Sequence, residues 1–138
     1  MLSHPKYLLD TSVYSQPLRR SPMMPALRRW DEAGDKRCVI SIVCRAETEW
    51  GLLKSPDHRR DHRYESLLRD RLVVLESDAE CWGLFSSMKA RQVLIGRIVG
   101  DLDLLIAATA RRHDCIVATL NPSDFSKIEG IRWEDWSV

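Results

Sequence analysis

Four polar side chains, distant in the chain, stand where apolar segments end or turn: Asp10, Glu47, Asp103 and Asn121. Asp10 follows Tyr7, Leu8 and Leu9; Asp103 opens the run Leu104, Leu105, Ile106, Ala107, Ala108; Asn121 comes just after Ile116, Val117, Ala118, Thr119. Glu47 interrupts Val43, Ala46, Trp50 and Leu53, whose three- and four-residue spacing predicts an amphipathic helix over residues 42–53. A carboxylate beside a core segment is costly to desolvate unless something pairs it. Several brought together suit a hard divalent cation, which takes oxygen ligands and keeps water.

Each position has an ordinary reading when taken singly. Asp10 in Asp10-Thr11-Ser12 suits an Asx turn or a helix cap. Glu47 suits an internal salt bridge. Asp103 or Asp101 suits an N-cap, and Asn121 a turn before Pro122. Glu49, roughly 200° around the helix from Glu47, is expected to be solvated. It is the set of four that asks for an explanation.

The elements that must position them read as strands alternating with helices. Strands are predicted at Lys6 to Asp10, Arg37 to Ser41, Leu72 to Leu75, Cys115 to Thr119 and Ile131 to Trp133. Pro17, Pro22 and Pro25 break the chain into a loop before a helix from Pro25 to Ala33, stopped by Gly34. Residues 57–70 read as a charged helix. Ser77 or Asp78 caps a helix reaching Ile95, and Asp101 or Asp103 starts another reaching His113. A single turn of helix is expected at Pro122 to Phe125. This alternation predicts an α/β domain with a mostly parallel sheet of four to five strands flanked by helices. Ligands of such sheets bind beyond the carboxyl ends of the strands, where Asp10, Asp103 and Asn121 would meet.

Composition narrows the class. The chain has 138 residues, 44% hydrophobic and 30% charged, the profile of one globular domain. Net charge is +1, so bulk charge does not announce a nucleic-acid binder. Residues 1–75 carry 14 basic against 10 acidic residues and the rest 7 against 10. That asymmetry suits a polyanion approaching a metal site as well as a scatter of solvated charge. Cys38, Cys44, Cys81 and Cys115 form no C-x-x-C pair and read as reduced, structural thiols of a cytoplasmic protein. No apolar leader and no membrane span are expected. No Walker loop or G-x-G-x-x-G follows a strand. A haloacid-dehalogenase-like reading fails because Ser12 stands where a second acid is needed.

Other features carry two readings each. His58 and His62 lie one turn apart without a third ligand for a transition metal. Arg19, Arg20, Arg59, Arg60 and Arg63 suit either phosphate contacts or a solvated face. Of five tryptophans, most are expected in the core or an interface, with Trp50 a candidate to stack on a base. Trp82, Leu84, Phe85, Met88, Leu94 and Ile95 exceed what one helix face needs, which suits a subunit contact or a core-only helix.

The motifs Leu8-Leu9-Asp10-Thr11-Ser12, Ser41 with Ala46-Glu47 and Gly51, Gly100-Asp101-Leu102-Asp103 with Ile106-Ala107-Ala108-Thr109-Ala110, and Thr119-Leu120-Asn121 with Asp124-Phe125 resemble the PIN-domain nucleases. They are most similar to the VapC-type toxins of bacterial toxin–antitoxin pairs. The resemblance runs from Tyr7 to Trp136 and makes residues 1–138 a single PIN domain. It implies an acidic site of Asp10, Glu47, Asp103 and the Asn121 position, with Asp10, Asp103 and Glu47 at Mg²⁺ or Mn²⁺. Thr11, Ser12 and Ser41 would add hydroxyls, and Asp101 or Asp124 would supplement charge where Asn121 replaces the acid common in the wider family. The implied activity is metal-dependent cleavage of RNA leaving a 5′-phosphate and a 3′-hydroxyl. The implied partners are an antitoxin that blocks the acidic pocket and a second copy of the chain. The competing reading is a PIN-like module that binds RNA or protein without cutting.

Overall fold

The computed structural model describes residues 6–138. The N-terminal expectation of no leader falls on residues 1–5, outside that range. Among the described residues, strands β1 (Lys6–Leu9), β2 (Cys38–Ser41), β3 (Val73–Leu75), β4 (Cys115–Thr119) and β5 (Arg132–Asp135) form one sheet in the order β3-β2-β1-β4-β5. Every pairing is parallel. The expected four to five mostly parallel strands are therefore five, and wholly parallel. The helices are α1 (Thr11–Tyr14), α2 (Met24–Ala33), α3 (Ile42–Lys54), α4 (Asp61–Arg63), α5 (Ala79–Leu94), α6 (Asp101–Arg112) and α7 (Pro122–Phe125).

Alternation along the strands divides the core in two, because successive side chains point to opposite faces of a sheet. Leu9, Ile40 and Ala118 pack with Trp30, Tyr14 and Tyr64 on one face. Leu8, Val39 and Val117 pack with Leu104, Ile106 and Phe125 on the other. All four cysteines are free and buried, matching the reading as small hydrophobes. Among the described residues no helix is long and apolar enough to cross a membrane.

Local chemistry explains the boundaries. Gly34 ends α2 at φ 82°, a conformation glycine adopts without steric penalty. Asp78 is the residue that caps α5, accepting from the Cys81 amide. The charged helix expected over 57–70 is shorter. Asp57 turns back on the Arg59 amide (3.0 Å), helix begins at Asp61, and a wider turn over Tyr64–Leu68 ends it. The proline-rich stretch after Asp10 holds two structured turns, α1 and a 3-10 turn at Gln16–Leu18, rather than open loop.

The sheet order fixes where a ligand belongs. From β1 the chain builds outward through β2 and β3, then returns to β1's other side with β4 and β5. The crevice beyond the ends of β1 and β4 is the switch point of this parallel sheet. Asp10 leaves β1 there, and Thr119 ends β4 beside it.

Candidate active site

Asp10 is almost fully buried, at 5% exposure, and three donors surround its carboxylate. Oδ1 accepts from the Ser12 hydroxyl (2.5 Å) and the Val13 amide (3.1 Å), so Asp10 also caps α1. Oδ2 accepts from the Thr119 hydroxyl at 2.6 Å. Burial pushes the Asp10 carboxyl above its ordinary range, and these hydrogen bonds pull it part of the way back. The donors are themselves fixed: the Leu120 amide donates to Ser12 Oγ (3.0 Å) and the Asn121 amide to Thr119 Oγ1 (2.9 Å). The strap after β4 thus holds the same carboxylate as α1.

Glu47 sits midway along α3, and its Oε1 accepts from the Thr11 hydroxyl at 2.7 Å. The face of α3 turned to the core is Val43, Cys44, Thr48 and Leu52, whereas Ala46, Trp50 and Leu53 of the expected stripe are exposed. Glu47 lies beside that face. With Ala46, Trp50, Trp82, Leu102 and Leu105 it borders an open groove of about 670 Å³. Glu49 is not simply solvated either: its Oε2 accepts from the Tyr64 hydroxyl (2.6 Å) and Arg45 (3.1 Å).

Asp103 occupies the first turn of α6, where Gly100 is the capping residue and neither aspartate caps by side chain. A helix N-terminus stabilises a carboxylate by about 0.3–1 kcal/mol. Asp103 nevertheless titrates at about 6, pushed up first by burial, then by the negative charges of Asp124, Glu47 and Asp10. Desolvation and like charge outweigh the helix dipole here. Asp124, Glu47 and Asp10 thus all act on Asp103 through their charge.

The structure separates the remaining candidates. Asp124, in α7, is the first-ranked charge acting on Asp103. Asn121 precedes α7, is exposed, and makes no cap hydrogen bond through its side chain. Asp101 faces Lys89 at 2.9 Å instead of the acidic space. Ser41 is fully buried and caps α3 by accepting from the Cys44 amide at 3.2 Å. His58 meets Asp61 at 3.0 Å, which leaves no histidine pair. Trp30 and Trp136 are core residues, whereas Trp50, Trp82 and Trp133 are 62%, 49% and 38% exposed. In the sequence Thr119 reads as the end of a strand and as part of the Thr119-Leu120-Asn121 motif, but not as a partner of Asp10. Its signal was a hydroxyl closing an otherwise apolar run.

The donor set is oxygen throughout, which suits a hard cation. Among the described residues no three metal-ligating side chains form a ready-made ligand shell. Mg²⁺ or Mn²⁺ usually takes only one or two carboxylates directly and keeps several waters, so Asp10 and Asp103 are the residues that could hold it. The raised Asp103 points the same way, because a cation would relieve the repulsion among these acids.

The PIN domain family model matches residues 7–131. The chain is 30% identical to ribonuclease VapC2 of Haemophilus influenzae over 131 residues, 95% of this chain and 98% of that protein. It is 30% identical to the tRNA(fMet)-specific endonuclease VapC of Shigella flexneri, covering 96% and 98% of the two chains. Its fold superposes on a DNA-bound VapBC complex of Salmonella typhimurium with a TM-score of 0.85 and 29% identity, over 96% of this chain and 99% of that one.

Proposed function

This chain belongs to the PIN-domain family, and on that premise we propose that it is a divalent-metal-dependent endoribonuclease, the toxin of a VapBC-type pair. Residues 1–138 act as one such domain in the cytoplasm. What supports the reading is the buried Asp10, held by Ser12 and Thr119 at the switch point of the sheet, with Glu47 tied to Thr11 beside it and the charges of Asp124, Glu47 and Asp10 acting on Asp103.

Asp10 and Asp103 would hold Mg²⁺ or Mn²⁺, with Glu47 alongside and Asp124, rather than the neutral Asn121, as the fourth acid. When bound, the cation supplies neutralising charge at the scissile phosphate and a more acidic water. The protein's residues do the rest. Ser12 and Thr119 hold Asp10 in one orientation. Thr11 occupies Oε1 of Glu47, which leaves Oε2 free of that hydrogen bond, and Glu47 would orient or deprotonate the attacking water. Water would attack phosphorus as Glu47 takes its proton, the bond to the 3′-oxygen would break, and that oxygen would take up a proton from solvent, leaving a 5′-phosphate and a 3′-hydroxyl.

Relatives named as ribonucleases and as a tRNA-specific endonuclease make RNA the substrate class and tRNA the first RNA to assay. The VapBC complex among the structural relatives supports an antitoxin partner. A basic antitoxin side chain pairing with these acids would inhibit by occupying the cation's place. The apolar outer side of α5, with Val93 and Leu94 57% and 80% exposed, suits contact with a second copy. The test is RNA cleavage in Mg²⁺ or Mn²⁺ by the parent and by Asp10→Asn, Glu47→Gln and Asp103→Asn. Each substitution is expected to lower kcat/KM at least about 100-fold. Parent-like rates in all three would remove the proposal.

A further inference from the structure

Away from the acids, five arginines gather around one depression of about 400 Å³: Arg19, Arg20, Arg59, Arg60 and Arg63, with Asp57. Asp57 pairs with Arg59 through contacts of 2.8–3.0 Å, and Arg60 also acts on its charge. Arg63 donates to the Pro17 carbonyl at 3.4 Å. Among the described residues, Arg19, Arg20, Arg60 and Arg63 make no ion pair with a carboxylate. Elsewhere Arg45, Arg71, Arg91, Arg112 and Arg132 each meet one. Five arginines around a single acid leave a local excess of like charge, which destabilises a compact surface, so this cluster stands apart in a chain of net charge +1.

Its position is set by two arms that leave the active site together. Thr11 and Glu47 are hydrogen-bonded at the site. One arm runs through α1 and the Gln16–Leu18 turn to Arg19 and Arg20; the other runs down α3 to residues 57–63. The Arg63–Pro17 hydrogen bond brings the arms together again at the depression. Arg19 follows Ser12 by seven residues through these two turns, so an RNA strand at the acids would reach the patch only by extending beyond the scissile bond.

We infer that this arginine-lined depression is a second binding point for the RNA backbone, holding phosphates several nucleotides from the scissile bond. Guanidinium groups donate in a fork that matches phosphate oxygens, and such contacts position a nucleic acid without reading its bases. The inference rests on the nuclease reading for its substrate and adds a length requirement: RNA too short to reach the patch gains nothing from it.

The experiment compares the full chain with a combined Arg19→Gln, Arg20→Gln, Arg60→Gln variant, sparing Arg63 because it braces Pro17. Binding of a labelled tRNA and of a trinucleotide is followed by fluorescence anisotropy in EDTA across a salt series. Losing three phosphate contacts is expected to lower the slope of log K against log salt by about 2, to weaken tRNA binding at least 10-fold at low salt, and to leave the trinucleotide unaffected. An Arg→Lys version of the same triple should recover most of the slope. Equal slopes for parent and Gln variant would overturn the inference, as would equal losses on both RNAs. Competition by an acidic peptide with no RNA binding by the parent would assign the patch to a protein and also overturn it. Because binding is read without turnover, failure of the parent to cleave RNA sinks the nuclease reading separately.

Discussion

Replacing Asp103 by asparagine is expected to stabilise the metal-free protein while destroying its activity. Asp103 titrates at about 6 in the fold against an ordinary 3.8. At about 1.4 kcal/mol per pH unit, the charged form costs the folded state about 3 kcal/mol when fully developed. Partial exposure screens some of this, and an amide still needs hydrogen-bond partners, so about 1–2 kcal/mol should be recovered. The sign follows from proton linkage. The folded protein binds this proton more tightly than the unfolded chain, so stability falls as pH rises from about 4 through about 6. The gain from Asp103→Asn is therefore absent near pH 4 and complete near pH 8. Urea denaturation in EDTA at pH 4, 6 and 8 measures it directly. With Mg²⁺ the order reverses: at 100 times its Kd a cation adds about 2.7 kcal/mol to the parent and little to the variant. Cleavage at limiting Mg²⁺ should correspondingly rise through about pH 6. If the variant in EDTA at pH 8 proves less stable than the parent, the repulsion argument is wrong.

Two further outcomes are expected. Thr119→Val strips a 2.6 Å donor from the buried Asp10 carboxylate, costing about 1–3 kcal/mol in thermal or urea denaturation at pH 8 and weakening Mg²⁺ binding; unchanged stability would show that this hydroxyl is dispensable. Leu94→Glu, on the exposed side of α5, should shift the mass seen by light scattering from twice 16.0 kDa to one chain, and a parent already monomeric at high concentration would refute that contact.

Much of the fold was legible because strand and helix periods are local. Tyr7, Leu8 and Leu9 before Asp10, and Cys115 through Thr119, marked strands that pair in parallel as anticipated. Gly34 and Asp78 marked ends through their own backbone and side-chain chemistry. The exposure of Trp50 was not legible. Spacing identifies an apolar stripe, but not whether another element covers it, and here α3 turns a different face to the core, through Cys44, Thr48 and Leu52.

The sequence by itself determined the alternation of strands and helices, the acids at their ends, and an oxygen-only donor set. Tertiary structure decided which of those residues share a space. Asp10 and Thr119 are 109 residues apart, and they meet because Leu9 pairs with Ala118 in register across β1 and β4. Asp124, in α7, acts on Asp103 by its charge, while Asn121, just before α7, is exposed. The arginine patch exists only because two arms of chain reconverge at Pro17 and Arg63. Periodicity records what each segment prefers to bury, whereas register and strand order arise from all segments packing at once.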